Sequence, residues 1–380
     1  MTSTGQDQVR IEPFGPRHWP GLMRLYLRWF GAHAAGRFAA RWQWQFASNP
    51  YVALRRPVIA VAVLGDEVVG HHAAFPLPLR VDGSVRTFLC SCDMVAEPRH
   101  RITAIPLAQR IASQGDVLAS GGSPQARRIG SLLGLRPVTL TRQHLILTRR
   151  QGGAVRRMLR RRLPGFLRSF AGPRAAAFLA PMLRPGSARR SRPLPRYAGS
   201  LQVEPLARFG AGHDALWREL SAHARFGLAK DSTYLNWRYV DAPATSLRCA
   251  QVRDRGGAAR GEVVFGLRAG LDDDLEPCGQ DGEIFELFLA DPSDGDALRA
   301  LVGHACRELD QAGVDTIATT GLLRRWHAAF EELGFHRSEE EHRETWVTVG
   351  ARGPSVQAVG DPDAWLVSAG DGDQAFTWTV

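Results

Sequence analysis

Residues 89–98 read Leu89-Cys90-Ser91-Cys92-Asp93-Met94-Val95-Ala96-Glu97-Pro98, and residues 284–292 read Ile284-Phe285-Glu286-Leu287-Phe288-Leu289-Ala290-Asp291-Pro292. Each is a β-type run broken by one carboxylate and stopped by an acid-proline pair, since proline brings no N–H to a central ladder. The two ends match, Val95-Ala96-Glu97-Pro98 against Leu289-Ala290-Asp291-Pro292, 194 residues apart. Working outward, Trp44-Gln45-Phe46 with Pro50 returns as Trp237-Arg238-Tyr239 with Pro243 after 193 residues. Glu12-Pro13-Phe14 returns as Glu204-Pro205-Leu206 after 192, and Leu133-Gly134-Leu135 as Leu333-Gly334-Phe335 after 200. Four matches in one order predict a duplicated unit.

The periodicities of the two halves agree. After Pro292, Leu298, Leu301, Val302, Ala305 and Leu309 keep helical spacing up to Gly313. Val314–Thr319 reads as a strand, and Leu322, Leu323, Trp326, Phe330 and Leu333 as a helix stopped at Gly334. His336 and Trp346–Val349 fall on two last strands, read as a hairpin. In the first half, Val58–Leu64 and Val68–Phe75 flank a Gly65-Asp66 turn. Leu89–Val95 follows, then a helix to Ser113, strand Val117–Ala119, helix Ala126–Leu133 and strands through Thr148. The expected class is α/β: two tandem domains, each a mixed, mostly antiparallel twisted sheet flanked by helices. The boundaries read as 1–148, a basic helical segment 149–199, 200–350, and a tail 351–380.

Composition narrows the function classes. The chain has 380 residues, 44% hydrophobic and 23% charged, which is globular and long enough for two domains. No apolar run nears the roughly 20 residues of a membrane span, and Met1–Arg10 is too polar for a secretory signal. Five cysteines, with only Cys90 and Cys92 close together, form neither a disulfide framework nor a zinc spacing, so no metal is expected and a reduced, cytoplasmic protein is. The serine-hydrolase G-x-S-x-G, zinc-protease H-E-x-x-H and Rossmann G-x-G-x-x-G patterns are absent. Lys230 is the only lysine, which excludes a P-loop, and its polar Ala-Lys-Asp-Ser context argues against a desolvated Schiff-base lysine.

The element order, with Leu-Gly-Phe closing a half, resembles the GNAT acyltransferase superfamily in tandem. The resemblance implies an acyl-coenzyme A substrate such as acetyl-CoA. The backbone at Met94 and Val95 would hold its pantetheine arm, and the following turn its pyrophosphate. That turn departs from the family's R-x-x-G-x-G/A: Arg101 keeps the leading place, but Ala104 and Pro106 replace the glycines. Arg99, His100 and Arg101 offset lost N–H donors with charge. The second half has Asp291, Asp294 and Asp296 there, which would repel a pyrophosphate, so the carrier is expected in the first half. The family's tyrosine acid is replaced by Gly130 and Phe330. Asp93, Glu286 and His71 or His72 remain as proton-transfer candidates, with His72 preferred of the two histidines. A looser similarity of the Trp-x-Tyr…Pro element, Trp365 and Gly370-Asp371 is to acyltransferases encoded with bacterial surface-polysaccharide genes. It implies a small-molecule or glycan acceptor, including a lipid-linked glycan. The alternatives are a catalytically silent binding or scaffold protein and a Fem-type aminoacyl transferase.

Charge is unevenly placed. Val117–Val203 holds 18 of the 48 basic residues and none of the 38 acidic ones. Within it Val155, Met158, Leu159, Leu163, Phe166, Leu167 and Phe170 keep helical spacing among arginines. A basic amphipathic stretch of this kind, residues 154–170, suits an anionic membrane surface, which would make the protein peripheral at the inner membrane face. Packing on the acidic halves is the other reading. Nucleic acid is disfavoured because no reading motif accompanies the charge.

Overall fold

The computed structural model describes residues 8–120, 123–140, 144–150, 201–243, 246–271, 277–320, 323–337, 345–350 and 364–371. The basic stretch 154–170 lies outside the described residues. Of the expected basic segment only its first two residues are described, Arg149 bonding Asp310 through Nε at 2.8 Å.

The first half opens with β1 (Arg10–Pro13) and the long helix α1 (Trp19–Trp42), which buries Leu22, Leu25, Tyr26 and Phe38. Leu22, Leu25 and Tyr26 recur at helical intervals and share one face, and Phe38 lies beyond the break in the helix. Gly31 breaks α1 with φ 75°, a conformation open to glycine without steric cost. Next come β2 (Val58–Leu64), β3 (Glu67–Val81), β4 (Ser84–Ala96), α2 (Ala104–Ala112), β5 (Val117–Ser120), α3 (Pro124–Leu132), β6 (Arg136–Leu140) and β7 (His144–Thr148).

The second half repeats that order, with β9 inserted and two helices in place of α1. It runs β8 (Val203–Pro205), α4 (Ala211–Ser221), β9 (Phe226–Leu228), α5 (Ser232–Leu235), β10 (Arg248–Arg253), β11 (Ala259–Leu271) and β12 (Pro277–Leu289). Then follow α6 (Gly295–Gln311), β13 (Thr316–Thr320), α7 (His327–Glu332), β14 (His336–Arg337) and β15 (Thr345–Gly350). Gly134 (φ 76°) and Gly334 (φ 94°) follow α3 and α7, the left-handed stops expected of the Leu-Gly repeat.

Two mixed sheets result, in orders β1-β2-β3-β4-β5-β15-β6 and β14-β7-β13-β12-β11-β10-β8. β9 joins the first sheet along the outer end of β3. The expected hairpin of the last two strands is overturned: β14 and β15 lie in different sheets. The halves exchange their closing strands, β15 sitting between β5 and β6 and β7 between β13 and β14. Hydrophobic runs show that a strand exists, but its neighbour is a long-range choice that periodicity does not encode.

The halves meet through the Trp repeat. Gln43–Ala47 and Asn236–Val240 are both five-residue π-helical turns, a rare form. Trp44 and Trp237 stack with ring centres 4.9 Å apart and 19° between planes. Each indole N–H donates to the other's backbone carbonyl, at 2.7 and 3.2 Å. This reciprocal pair marks a local two-fold relation, and the largest apolar core runs continuously from one half to the other around it.

Residues 364–371 are part of the folded body. Trp365 stacks on Phe226 at 5.1 Å, and Leu366 N–H donates to the Phe226 carbonyl at 2.8 Å. Among the described residues no helix is long and apolar enough to cross a membrane.

Candidate functional site

Each half carries the same backbone device. β4 and β5 pair in parallel only at Leu89↔Val117 and Cys90↔Leu118, and β12 and β13 only from Gly282↔Ile317 to Ile284↔Thr319. Beyond those points the strands part, and among the described residues no strand pairs with the inner edge of β4 or of β12. Just past each divergence the ladder slips by one residue: His71 faces Val95 while Ala73 faces Cys92, and Val264 faces Glu286 while Phe265 faces Ile284. Such bulges re-aim side chains and recur beside active sites. Asp93 sits in the first bulge at φ 55°, a left-handed conformation that aspartate adopts more readily than most residues.

In the first half the bulge gathers a polar cluster beneath α1. Arg41 Nη2 donates to Asp93 Oδ1 at 2.7 Å, with the two side chains about 10% and 9% exposed. His71 Nδ1 is 3.1 Å from the Asp93 carbonyl and 3.5 Å from the Tyr26 hydroxyl. His72, its neighbour, points to the opposite face, where Nε2 meets Ser91 Oγ at 2.7 Å and α2 covers the ring. Burial pushes both imidazoles down to about 4, His71 against the pull of Asp93 and His72 with His71 adding to the fall.

Met94 and Val95 lie on the unpartnered stretch of β4, half-buried and buried. Pro98–Thr103 is a 3-10 turn running directly into α2, and the Ala104 N–H is taken by the Arg101 and Ile102 carbonyls. Ala104 therefore offers no free donor there. Arg99 and Arg101 are exposed, so the positive character of this end comes from side chains.

The second half places Glu286 in a different setting. The expectation that Lys230 is not desolvated is overturned: it is 1% exposed, standing between β9 and α5 with its carbonyl 2.7 Å from His213 Nε2 of α4. Polar sequence neighbours did not reveal this, since burial there depends on contacts distant in sequence. Its ammonium donates to both Glu286 oxygens (3.0 and 2.9 Å) and to Ser368 Oγ (2.7 Å), and stands 2.8 Å from Asp371 Oδ1. Tyr239 and Ser368 hydroxyls also donate to Glu286 Oε1, at 2.6 and 2.7 Å. Burial lowers the Lys230 pKa, but Asp371 and Glu286 outweigh it, and the ammonium stays above its ordinary value. Burial raises Glu286, with Lys230 opposing and Asp371 adding.

A small pocket opens between the diverging β12 and the chain after β13, lined by Leu287, Phe288, Leu323, Trp326, Leu366 and Lys230 among others. The turn after β12 is acidic: Asp294 caps α6 by accepting from the Ala297 N–H and pairs with Arg260, and Asp291 accepts from Ser293. Asp93, His71, Met94, Val95, Arg99 and Arg101 thus gather around the first divergence, His72 lies on the far face, and Glu286 belongs to the second. Sequence reasoning missed Arg41, whose only signal was its place one residue before the aromatic Trp42. Among the described residues no group of three His, Cys, Asp or Glu is placed to hold a metal ion.

No family model and no curated protein matches the sequence. Solved structures do. The chain is similar to N-myristoyltransferase of Saccharomyces cerevisiae with bound myristoyl-CoA, at 11% identity and TM-score 0.57, covering 90% of this chain and 78% of that one. It is similar to a GCN5-related N-acetyltransferase of Anabaena variabilis at 10% identity and TM-score 0.55, covering 90% and 72%. It spans 65% of a probable N-acyltransferase from Enterococcus faecalis V583, over 83% of its own length, at 13% identity and TM-score 0.48. At these identities the likeness is one of fold: an α/β chain of two GNAT-like halves.

Proposed function

We propose that the chain transfers an acyl group from acyl-coenzyme A to an amine or hydroxyl, with the thioester held in the first half. The observation that carries this reading is the contrast between the two divergences. Both present a bulged strand with a free inner edge, but only the first is followed by exposed arginines, Arg99 and Arg101. A pyrophosphate is a concentrated anion, and unit charges at about 4 Å interact by several kcal/mol near a protein surface. The second turn carries three aspartates instead, of which Asp294 pairs with Arg260 and Asp296 with Arg299, and it is the less favourable place for an anion. A neighbour solved with bound myristoyl-CoA and another named as an N-acetyltransferase lend the fold-level support, which is an analogy.

In this reading the backbone of Met94 and Val95 pairs with the pantetheine arm as an added strand would. Arg99 and Arg101 hold phosphate oxygens. Asp93, fixed by Arg41, orients the reacting end. Glu286 is a structural acceptor inside the Lys230 network, and the second half supports the first. A glycan acceptor and attachment to an anionic membrane through residues 154–170 extend the same proposal.

Calorimetry with coenzyme A tests it. Binding that weakens with salt, and weakens about tenfold in Arg101→Ala, is the expected result, since a charge-assisted hydrogen bond is worth about 1.5–3 kcal/mol. No heat at millimolar ligand supports the rival reading, a binding or scaffold protein that kept the fold alone.

A further inference from the structure

We propose that Arg41, His71 and Asp93 form the acceptor site of the first half, built for a neutral molecule with two adjacent hydroxyls, one of which gives its proton to His71 Nε2. This rests on the acyl-transfer reading and adds to it the acceptor's chemical class and the group that takes the proton.

Three buried polar atoms in this cluster have no hydrogen-bond partner: Arg41 Nη1, His71 Nε2 and Asp93 Oδ2. Leaving such an atom unsatisfied costs about 1–3 kcal/mol, so three on adjoining residues mark a place where a ligand completes the set. The hydrogen-bonding role of each is fixed. The Arg41–Asp93 pair is joined by one bond only, Nη2 to Oδ1, which leaves Nη1 as a donor and Oδ2 as an acceptor within the same cluster. A backbone carbonyl can only accept, so the proton of neutral His71 sits on Nδ1 facing the Asp93 carbonyl. Nε2 is then a bare lone pair. The rings of Tyr26 and Trp42 flank this imidazole, with centres 5.9 and 5.8 Å away.

One donor and two acceptors discriminate between acceptor classes. An amine enters as an ammonium, presents nothing to Arg41 Nη1, and adds an unbalanced positive charge to a buried site already neutral in sum. A hydroxyl accepts from Arg41 Nη1 and donates to His71 Nε2. An adjacent hydroxyl then donates to Asp93 Oδ2, which the first cannot satisfy. The step balances: as the hydroxyl oxygen bonds the thioester carbonyl carbon, its proton passes to Nε2. The carbon–sulfur bond breaks, the thiolate leaves, and Nε2 returns the proton to it, giving an ester and a free thiol.

The test uses the full chain, acetyl-CoA and methyl glycosides bearing a cis-diol, beside counterparts with one hydroxyl removed or replaced by an amine, with products read by mass spectrometry. The diol is expected to be esterified, and the deoxy and amino counterparts to react at least about 100-fold more slowly. His71→Gln is expected to lower kcat at least about 100-fold while the Kd for acetyl-CoA holds. Asp93→Asn is expected to narrow the diol-over-deoxy preference, a ratio that remains readable if His71→Gln fails to fold. Equal rates for diol and deoxy compounds, preferential amide formation, full rate in His71→Gln, or no ester from a chain that binds acetyl-CoA overturns the proposal. A chain that binds no acetyl-CoA overturns the acyl-transfer reading beneath it.

Discussion

His71 and His72 are each held neutral by burial, with folded values near 4 against about 6.5 when the chain is unfolded. Between those limits the unfolded chain binds more protons than the folded one, so stability rises with pH across the window from about 4 to 6.5 and levels off above it. Each histidine contributes on the order of 3 kcal/mol to that slope. Urea unfolding at pH 7 and pH 5 should show the folded state losing stability at pH 5, and the His71→Gln, His72→Gln double variant should show a much smaller difference. An unchanged slope in the double variant would place the acid sensitivity elsewhere. The same two residues show the limit of reading side chains from a strand. Alternation correctly sends them to opposite faces, but which face carries the bulged Asp93 depends on a register slip that local sequence does not announce. Lys230 is a stronger case, since the groups that surround it come from β12 and from residues 368–371.

At the scale of elements the repeat was legible because it is carried by short, chemically conspicuous pieces. The acid-proline after each central strand, the Leu-Gly stop after each closing helix and the tryptophan before each proline all have local causes. Pairing between strands does not, and there the hairpin expectation fell. The tryptophan pieces prove to be the contact between halves, with each indole spending its N–H on the other's carbonyl. Trp44→Ala is expected to cost about 3–5 kcal/mol in denaturant unfolding, as is Trp237→Ala. Because both report on one contact, the double variant should cost less than their sum by about 1 kcal/mol or more. Strict additivity would mean that the stack is two independent packings.

For the whole molecule, strand exchange makes the halves one cooperative object. A chain of residues 1–148 lacks the strand between β5 and β6, and a chain of residues 200–371 lacks the one between β13 and β14. Neither fragment is expected to show a cooperative urea transition alone, and the two mixed should recover one as β7 and β15 cross over. A sharp transition in either isolated fragment would show that the exchange is dispensable.

The crossing of β7 and β15 also bears on descent. A duplicated gene whose copies merely adjoin can lose the redundant one by a single deletion. Here such a deletion would leave the survivor with a torn sheet, so the partner persists as scaffolding whether or not it ever meets a substrate.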